Sequence, residues 1–139
     1  MKKLLLLLLL SVSVTGISQK LNLDLLKDMQ PRNVGPAGMS GRITAIDAVT
    51  DNPDIIYAGS ASGGLWKSTS GGVTWKPVFE NGATSSIGAV AIQQSNPSVI
   101  WVGTGEGNPR NSLNGGFGIY KSLDAGKTWT LMGLEKTRH

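Results

Sequence analysis

The side chains best suited to binding chemistry lie in one Gly- and Pro-rich stretch, from Gly105 to Gly116. They are a carboxylate, two amides and a guanidinium: Glu106, Asn108, Arg110 and Asn111. Recognition residues concentrate on loops that a rigid scaffold positions. We therefore predict a ligand-binding loop here, with a solvated loop whose charges pair with each other, or whose polar groups brace the next blade, as the alternative. The Gly103-x-Gly105 spacing is not a dinucleotide fingerprint, because no helix is predicted to follow it.

Groups for covalent or metal chemistry are scarce. The sequence has no cysteine and one histidine, the terminal His139, which excludes a thiolate site and argues against a Ser-His-Asp triad. Asp47, Asp51 and Asp54 could supply oxygen ligands to calcium. Two of them flank a proline turn whose later counterpart carries serines instead, which favours turn capping. We predict no catalytic residue, no metal site and no cofactor in this chain.

The first 18 residues have the layout of a secretory signal peptide. Residues 1–3 are a short basic start, Leu4 to Leu10 an unbroken leucine run, and Gly16 and Ser18 the small residues before a cleavage site. The apolar run is shorter than the roughly 20 residues that span a bilayer. We predict export, cleavage after Ser18 and no stable membrane anchor.

Charge gives little support for a nucleic-acid partner. The formal net charge is +4, and loss of Lys2 and Lys3 with the signal leaves +2. The remaining Lys and Arg residues form no run or stripe, so we predict no nucleic-acid binding.

One segment of the chain occurs twice. Leu65–Trp75 returns as Ile119–Trp129, 54 residues later, whereas Pro53 of an Asn-Pro turn returns as Pro97, 44 residues later. The second copy therefore carries ten extra residues, which fall within the Gly105 to Gly116 stretch. A period in this range indicates a propeller or solenoid.

Short β-type runs separated by turns occupy both copies. In the first copy we expect strands at Ile43–Val49, Ile55–Gly59, Leu65–Ser68 and Thr74–Phe79. In the second we expect them at Ile87–Ile92, Val99–Gly103, Phe117–Lys121 and Thr128–Met132. This predicts an all-β fold, a β-propeller fragment of two four-stranded antiparallel blades. An eight-stranded sandwich is the alternative, but it does not explain the fixed offsets.

The predicted domain limits follow from these strands. A lead-in segment, 19–42, precedes a two-blade domain, 43–139, with blade one at 43–81 and blade two at 87–133. A complete propeller has about 4 to 8 blades. We therefore expect the chain to be the N-terminal piece of a longer protein, truncated at its C-terminus.

Each copy contains a hairpin in which Ser, Gly, Thr and Trp residues recur at the same spacing. Its members are Ser68, Ser70, Gly72, Thr74 and Trp75 in the first copy and Ser122, Asp124, Gly126, Thr128 and Trp129 in the second. We expect the Asp124 carboxylate to accept N–H groups across the turn, as Asx-turn residues do, and Gly126 to adopt a positive φ. Ser70 replaces the aspartate in the first copy and predicts a looser turn.

The second hairpin resembles the Asp-box, or BNR repeat. Further stretches are similar to the start of bacterial exported sortilin-like Asp-box propellers: Arg32–Pro36, Gly41–Ile43, Tyr57–Gly59, Gly63–Ser68 and Gly103–Asn108. The resemblance covers about 32–139 and implies a structural role for the hairpins, away from the ligand face. That broad group includes ligand-binding receptors, assembly factors and endoglucanases that cut xyloglucan.

The resemblance implies a secreted sortilin-like propeller module that binds a protein, peptide or glycan, with the remaining blades as partners. The alternative is a glycoside hydrolase whose catalytic residues lie beyond His139. In the similar endoglucanases a catalytic aspartate follows the second strand of the first blade, and the matching residue here is Ala61. A methyl group cannot act as acid or base, so one of the two carboxylates of inverting hydrolysis is missing at that position.

Overall fold

Two four-stranded antiparallel sheets, each a simple meander, make up the fold. The computed structural model describes residues 22, 24, 29, 41–108, 111 and 113–138. The first sheet contains β1 (Ile43–Val49), β2 (Asn52–Ser60), β3 (Gly64–Ser68) and β4 (Lys76–Pro77). The second contains β5 (Ile87–Ile92), β6 (Ile100–Thr104), β7 (Ile119–Ser122) and β8 (Thr130–Gly133). The predicted all-β, two-sheet fold is confirmed, whereas the signal peptide and most of the lead-in lie outside the described residues.

The two sheets repeat each other in register as well as in sequence. In β1 and β2, Ile43 pairs with Ser60 and Ala45 with Gly59, with an irregularity between them. The partners 44 residues later pair in the same way in β5 and β6, with the same irregularity. Between the outer strands the offset is 54: Trp66 opposes Pro77 as Tyr120 opposes Leu131. The sequence repeat therefore corresponds to a repeated four-stranded unit.

Several strand ends differ from the predicted ones for local reasons. The first turn is only Thr50 and Asp51, so β2 begins at Asn52, three residues earlier than expected. The fourth strand is short because Pro77 has no N–H to continue a ladder. In the second sheet β7 begins at Ile119, since Gly118 before it has a φ of +90°.

The hydrophobic core lies between the two sheets. Both sheets, which lie within one compact unit from Arg32 to His139, contribute to a single buried cluster: Val49, Tyr57, Leu65, Phe79, Ile87, Ile92, Ile100, Val102 and Tyr120. Phe79 packs edge-on against Tyr120, with ring centroids 5.0 Å apart. Each sheet thus covers apolar surface of the other, which is how repeat units are stabilised.

Candidate binding face

The strand ends form two opposite faces. On one, which we call the loop face, lie the connections 61–63, 78–86 and the long loop 105–118. On the other, which we call the hairpin face, lie the turns 50–51 and 93–99 and the two tryptophan hairpins, 68–75 and 122–129. The long loop enters β7 at its start, and the second hairpin leaves β7 at its end. The residues predicted to bind a ligand and those predicted to close the hairpins are therefore on opposite faces.

The long loop is closed at its base by a threonine. The Thr104 hydroxyl donates to the Gly118 carbonyl at 2.6 Å and accepts the Phe117 N–H at 2.8 Å. The backbone N–H of Thr104 also donates to Gly118, at 3.1 Å. Three bonds on a buried residue fix the separation of the two loop ends.

Further hydrogen bonds attach the long loop to the first sheet and to the connection between the sheets. The Asn114 amide donates to the Ala61 carbonyl at 3.1 Å. From the connection, Thr84 donates to the Gly115 carbonyl at 3.2 Å and Ser86 to the Asn114 carbonyl at 3.3 Å. These contacts attach the C-terminal part of the long loop to segments that precede it in the chain.

Glu106 is not an exposed carboxylate, although it was predicted as part of a ligand-binding loop. Its side chain is 1% exposed and forms an ion pair with Arg42, whose side chain is 35% exposed. A buried charge requires a partner, because desolvation is costly. Glu106 therefore anchors the long loop to the residue preceding β1, and it is unavailable as a surface ligand group.

The other predicted loop residues have different positions. Asn108 and Asn111 are solvent-exposed, and Arg110 lies outside the described residues. Ala61, at the position that matches the endoglucanase aspartate, is buried. Its N–H donates to the Arg42 carbonyl at 3.0 Å. Among the predicted loop residues that the structure describes, the exposed polar groups are therefore amides.

The aspartates considered as calcium ligands do not converge. Asp47 bonds two backbone N–H groups, that of Ala48 at 2.8 Å and that of Ile92 in the second sheet at 2.7 Å. Asp51 and Asp54 are exposed. Within the described ranges no group of three or more His, Cys, Asp or Glu side chains is arranged to hold a metal ion. Asp47 instead joins β1 and β5, the first strands of the two sheets.

The second tryptophan hairpin is closed by Asp124. Its carboxylate accepts the N–H groups of Lys127 at 3.0 Å and Thr128 at 2.8 Å, and the hydroxyls of Thr128 at 2.6 Å and Ser122 at 2.8 Å. The bonds from Thr128, followed by that from Ser122, lower the pKa of Asp124 to about 2. Gly126 has a φ of +86°. The Trp129 indole N–H donates to the Val78 carbonyl at 2.6 Å, which ties the hairpin to the first sheet.

A groove separates the outer part of the first sheet from the second hairpin. It encloses about 880 Å³, and its lining includes Lys67, Lys76, Glu80, Tyr120, Lys127 and Trp129. Burial, followed by the charge of Lys127, lowers the pKa of Lys67. The sequence did not reveal this groove, because its residues are scattered over about sixty positions and meet only when the sheets pack.

Two groups inside this interface converge on one carbonyl. Lys67 Nζ and the Tyr57 hydroxyl each donate to the Ala125 carbonyl at 3.0 Å. Burial raises the pKa of Tyr57 to about 12, so its hydroxyl remains a donor at neutral pH. The ammonium also lies 5.3 Å from the centroid of the Tyr57 ring. These groups position the second hairpin against the first sheet and have a structural role.

Taken together, two repeated four-stranded meanders packed face to face are two blades of a β-propeller. The solved structures similar to this chain agree with that class. A GH74 enzyme from Niastella koreensis is 26% identical with a TM-score of 0.51, over 66% of this chain and 14% of the enzyme. An ancestral GH74 enzyme is 22% identical with a TM-score of 0.55, over 70% of this chain and 13% of the enzyme. The chain thus spans about one-seventh of the length of these GH74 glycoside hydrolases.

No family model matches the sequence, and no significant match was found among curated proteins. Among the described residues, no helix has the length and apolar character needed to cross a bilayer.

Proposed function

We propose that this chain forms part of an exported propeller protein that binds a glycan on its loop face without cleaving it. Support for the glycan comes from the likeness to GH74 glycoside hydrolases, which includes 26% identity to one of them. Support for the face comes from Asn108 and Asn111, whose exposed amides can both donate to and accept from sugar hydroxyls.

The observation that carries the proposal is the bracing of the long loop. Its base is closed by Thr104, and its C-terminal part, at Asn114 and Gly115, is bonded to Ala61, Thr84 and Ser86. A loop fixed before binding loses little conformational entropy on binding, so weak polar contacts to a flexible glycan yield net affinity. A loop that served only as a connection would not require bonds to two separate segments, the one after β2 and the one between the sheets.

Binding without cleavage follows from the carboxylates. Glycoside hydrolysis uses two Asp or Glu side chains flanking the scissile bond. Ala61 occupies the position that matches one of them in the similar endoglucanases, and Glu106 is buried in its ion pair with Arg42. Neither can protonate a leaving group.

The second candidate is that the whole protein is a glycoside hydrolase. The likeness to GH74 enzymes favours it. It requires two catalytic carboxylates at positions other than 61 and 106.

Affinity electrophoresis in gels containing soluble polysaccharides, xyloglucan among them, tests the proposal. We expect at least one polysaccharide to retard the chain, the Asn108→Ala/Asn111→Ala variant to lose that retardation, and reducing ends not to appear on incubation. Gln93→Ala, an amide truncation on the hairpin face, is the matched control and should be retarded like the parent chain. Retardation by none of the glycans contradicts glycan binding, and release of reducing ends contradicts binding without cleavage.

Export is a separate part of the proposal. It depends on the basic start and the leucine run of residues 1–18. We expect the product secreted by a bacterial host to begin at Gln19, as measured by intact mass. Retention of residues 1–18 on the product would contradict it.

A further inference from the structure

The two sheets expose faces that correspond to the two halves of the interface they already form. One face of the first sheet packs on the second sheet, and the equivalent face of the second sheet is exposed. Likewise, the face of the second sheet that packs on the first has an equivalent face on the first sheet, and that face is exposed. The same offsets of 44 and 54 relate all these residues, so each contact across the interface predicts a second contact that these two sheets cannot make with each other.

In the first contact, a lysine of the first sheet donates a hydrogen bond to the second hairpin. Lys67, beside the Tyr57 ring, bonds the carbonyl of Ala125, a residue with a φ of 60°. The counterpart lysine is Lys121, which lies 4.7 Å from the centroid of the Trp101 ring. Trp101 is 37% exposed. The counterpart of Ala125 is Gly71 on the first hairpin, with the matching φ of 61°.

The second contact is made by a tryptophan N–H. Trp129 donates across the interface to the Val78 carbonyl at 2.6 Å. Its counterpart Trp75 is 37% exposed and donates instead within its own hairpin, to Gly72 at 2.8 Å. The counterpart of Val78 is Met132, on the exposed outer strand of the second sheet.

In the third contact, a side chain of the second sheet fills the space beside a glycine of the first sheet, which we call a notch. Ile87 occupies the space left by the missing side chain of Gly59, where a Cβ would come within 2.5 Å of Ile87 Cγ2. The counterpart notch at Gly103 is open, since a Cβ there would meet only Ala89 Cβ, at 3.4 Å. The counterpart side chain is Ile43, which is 59% exposed.

We propose that the exposed face of the second sheet binds the exposed face of the first sheet of a second copy of this chain. Across the new interface Lys121 donates to the Gly71 carbonyl, Trp75 reaches the Met132 carbonyl, and Ile43 fills the notch at Gly103. The contact is head to tail, so each bound copy again presents one free face of each kind. Such heterologous assembly closes into a ring when the rotation between copies permits, and otherwise continues as a filament.

Sedimentation equilibrium of the purified chain, over a range of concentrations, tests self-association directly. We expect species at whole multiples of the monomer mass that increase with concentration. A monomer at every concentration would overturn the proposal.

Two double variants block the two faces separately. Lys121→Glu/Gly103→Val reverses the charge and fills the notch on the second sheet, whereas Ile43→Asp/Trp75→Ala removes the groups that would bind there from the first sheet. We expect each variant alone to associate at least about 100-fold more weakly than the parent chain. Far-ultraviolet circular dichroism like that of the parent chain, together with cooperative urea unfolding, establishes that each variant is folded.

Mixing the two variants distinguishes head-to-tail contact from nonspecific association. Each variant retains the face that the other has lost, so an equimolar mixture should form a dimer through one intact interface and nothing larger. The control, Lys136→Glu/Gly107→Val, makes the same types of change at an exposed lysine and at a glycine with open space around it. It should assemble like the parent chain. Association of either variant alone at parental strength, or no dimer in the mixture, would overturn the proposal.

Discussion

At the scale of single residues, Asp124 and Ser70 show what an ionised acceptor adds to one turn. Ser70 accepts the Thr74 N–H at 2.9 Å and shares a bond with the Thr74 hydroxyl at 2.8 Å. Asp124 makes both equivalent bonds to Thr128. It also accepts the Ser122 hydroxyl at 2.8 Å, where the first hairpin has a Ser68–Ser70 contact of 3.4 Å, and it has one further bond, from the Lys127 N–H. Hydrogen bonds to a charged acceptor are shorter and stronger than neutral ones. The looser first turn stays a prediction.

Acid should weaken the second hairpin through Asp124. Its pKa is about 2 in the folded chain, below the ordinary value near 4. A depressed pKa stabilises the fold above the ordinary value, and this contribution is lost as the pH falls from about 4 towards 2. We expect the urea midpoint of the parent chain to fall over that range. In Asp124→Ser, which copies the first hairpin, the midpoint should be lower at pH 7 and fall less steeply in acid.

The reverse change provides the control for this effect. Ser70→Asp introduces the carboxylate into the first hairpin, where Thr74 offers the same N–H and hydroxyl. It should raise the midpoint at pH 7 and add a second acid-sensitive contribution. Equal acid slopes in the parent chain and both variants would show that neither carboxylate is linked to stability.

At the scale of strands, the position of each glycine relative to the interface between the sheets decides whether a larger residue can replace it. Gly59 and Gly103 occupy the same register position in β2 and β6, opposite Ala45 and Ala89. Gly59 faces Ile87 of the neighbouring sheet, whereas Gly103 faces open space. Identical residues in identical strands are therefore under different constraints.

Substitution of each glycine by alanine should give opposite results. Gly59→Ala places a methyl group 2.5 Å from Ile87 Cγ2, and we expect it to cost about 1–3 kcal/mol, as overpacking does. Gly103→Ala meets only an ordinary contact, and we expect a gain of about 0.5 kcal/mol because alanine restricts the unfolded chain. Urea unfolding of both variants under dilute conditions measures the difference. Similar values for the two would show that the sheets do not pack as described.

The same comparison shows what the sequence could and could not predict. The offsets of 44 and 54 were sufficient to predict two equivalent four-stranded sheets, because period and turn chemistry are local properties. They could not show which of Tyr57 and Trp101 would be buried, since the residue that covers each comes from a neighbouring sheet. The pairing of Glu106 with Arg42 was missed for a similar reason: the two are separated by more than sixty residues and meet only through the packing of the blades.

At the scale of the whole molecule, the two blades share one core. Tyr57, Leu65 and Phe79 of the first sheet lie in the same buried cluster as Ile87 and Tyr120 of the second. A single sheet has no second layer to cover its apolar face, so each blade depends on the other for burial. We infer that the two blades unfold as one cooperative unit, as adjacent repeats do when their interface supplies most of the stability.

The two tryptophans test this coupling between blades. Trp129 packs edge-on against Phe79, with ring centroids 5.3 Å apart, and its indole N–H bonds the Val78 carbonyl of the first sheet. Trp129→Ala should therefore cost about 3–5 kcal/mol and uncouple the blades, so that circular dichroism and tryptophan fluorescence no longer change together on unfolding. Trp75→Ala removes a ring whose N–H bonds only its own hairpin. It should cost about 1 kcal/mol and leave a single transition. Equal losses for the two rings would mean that the hairpins are stabilised locally and that the blades fold independently.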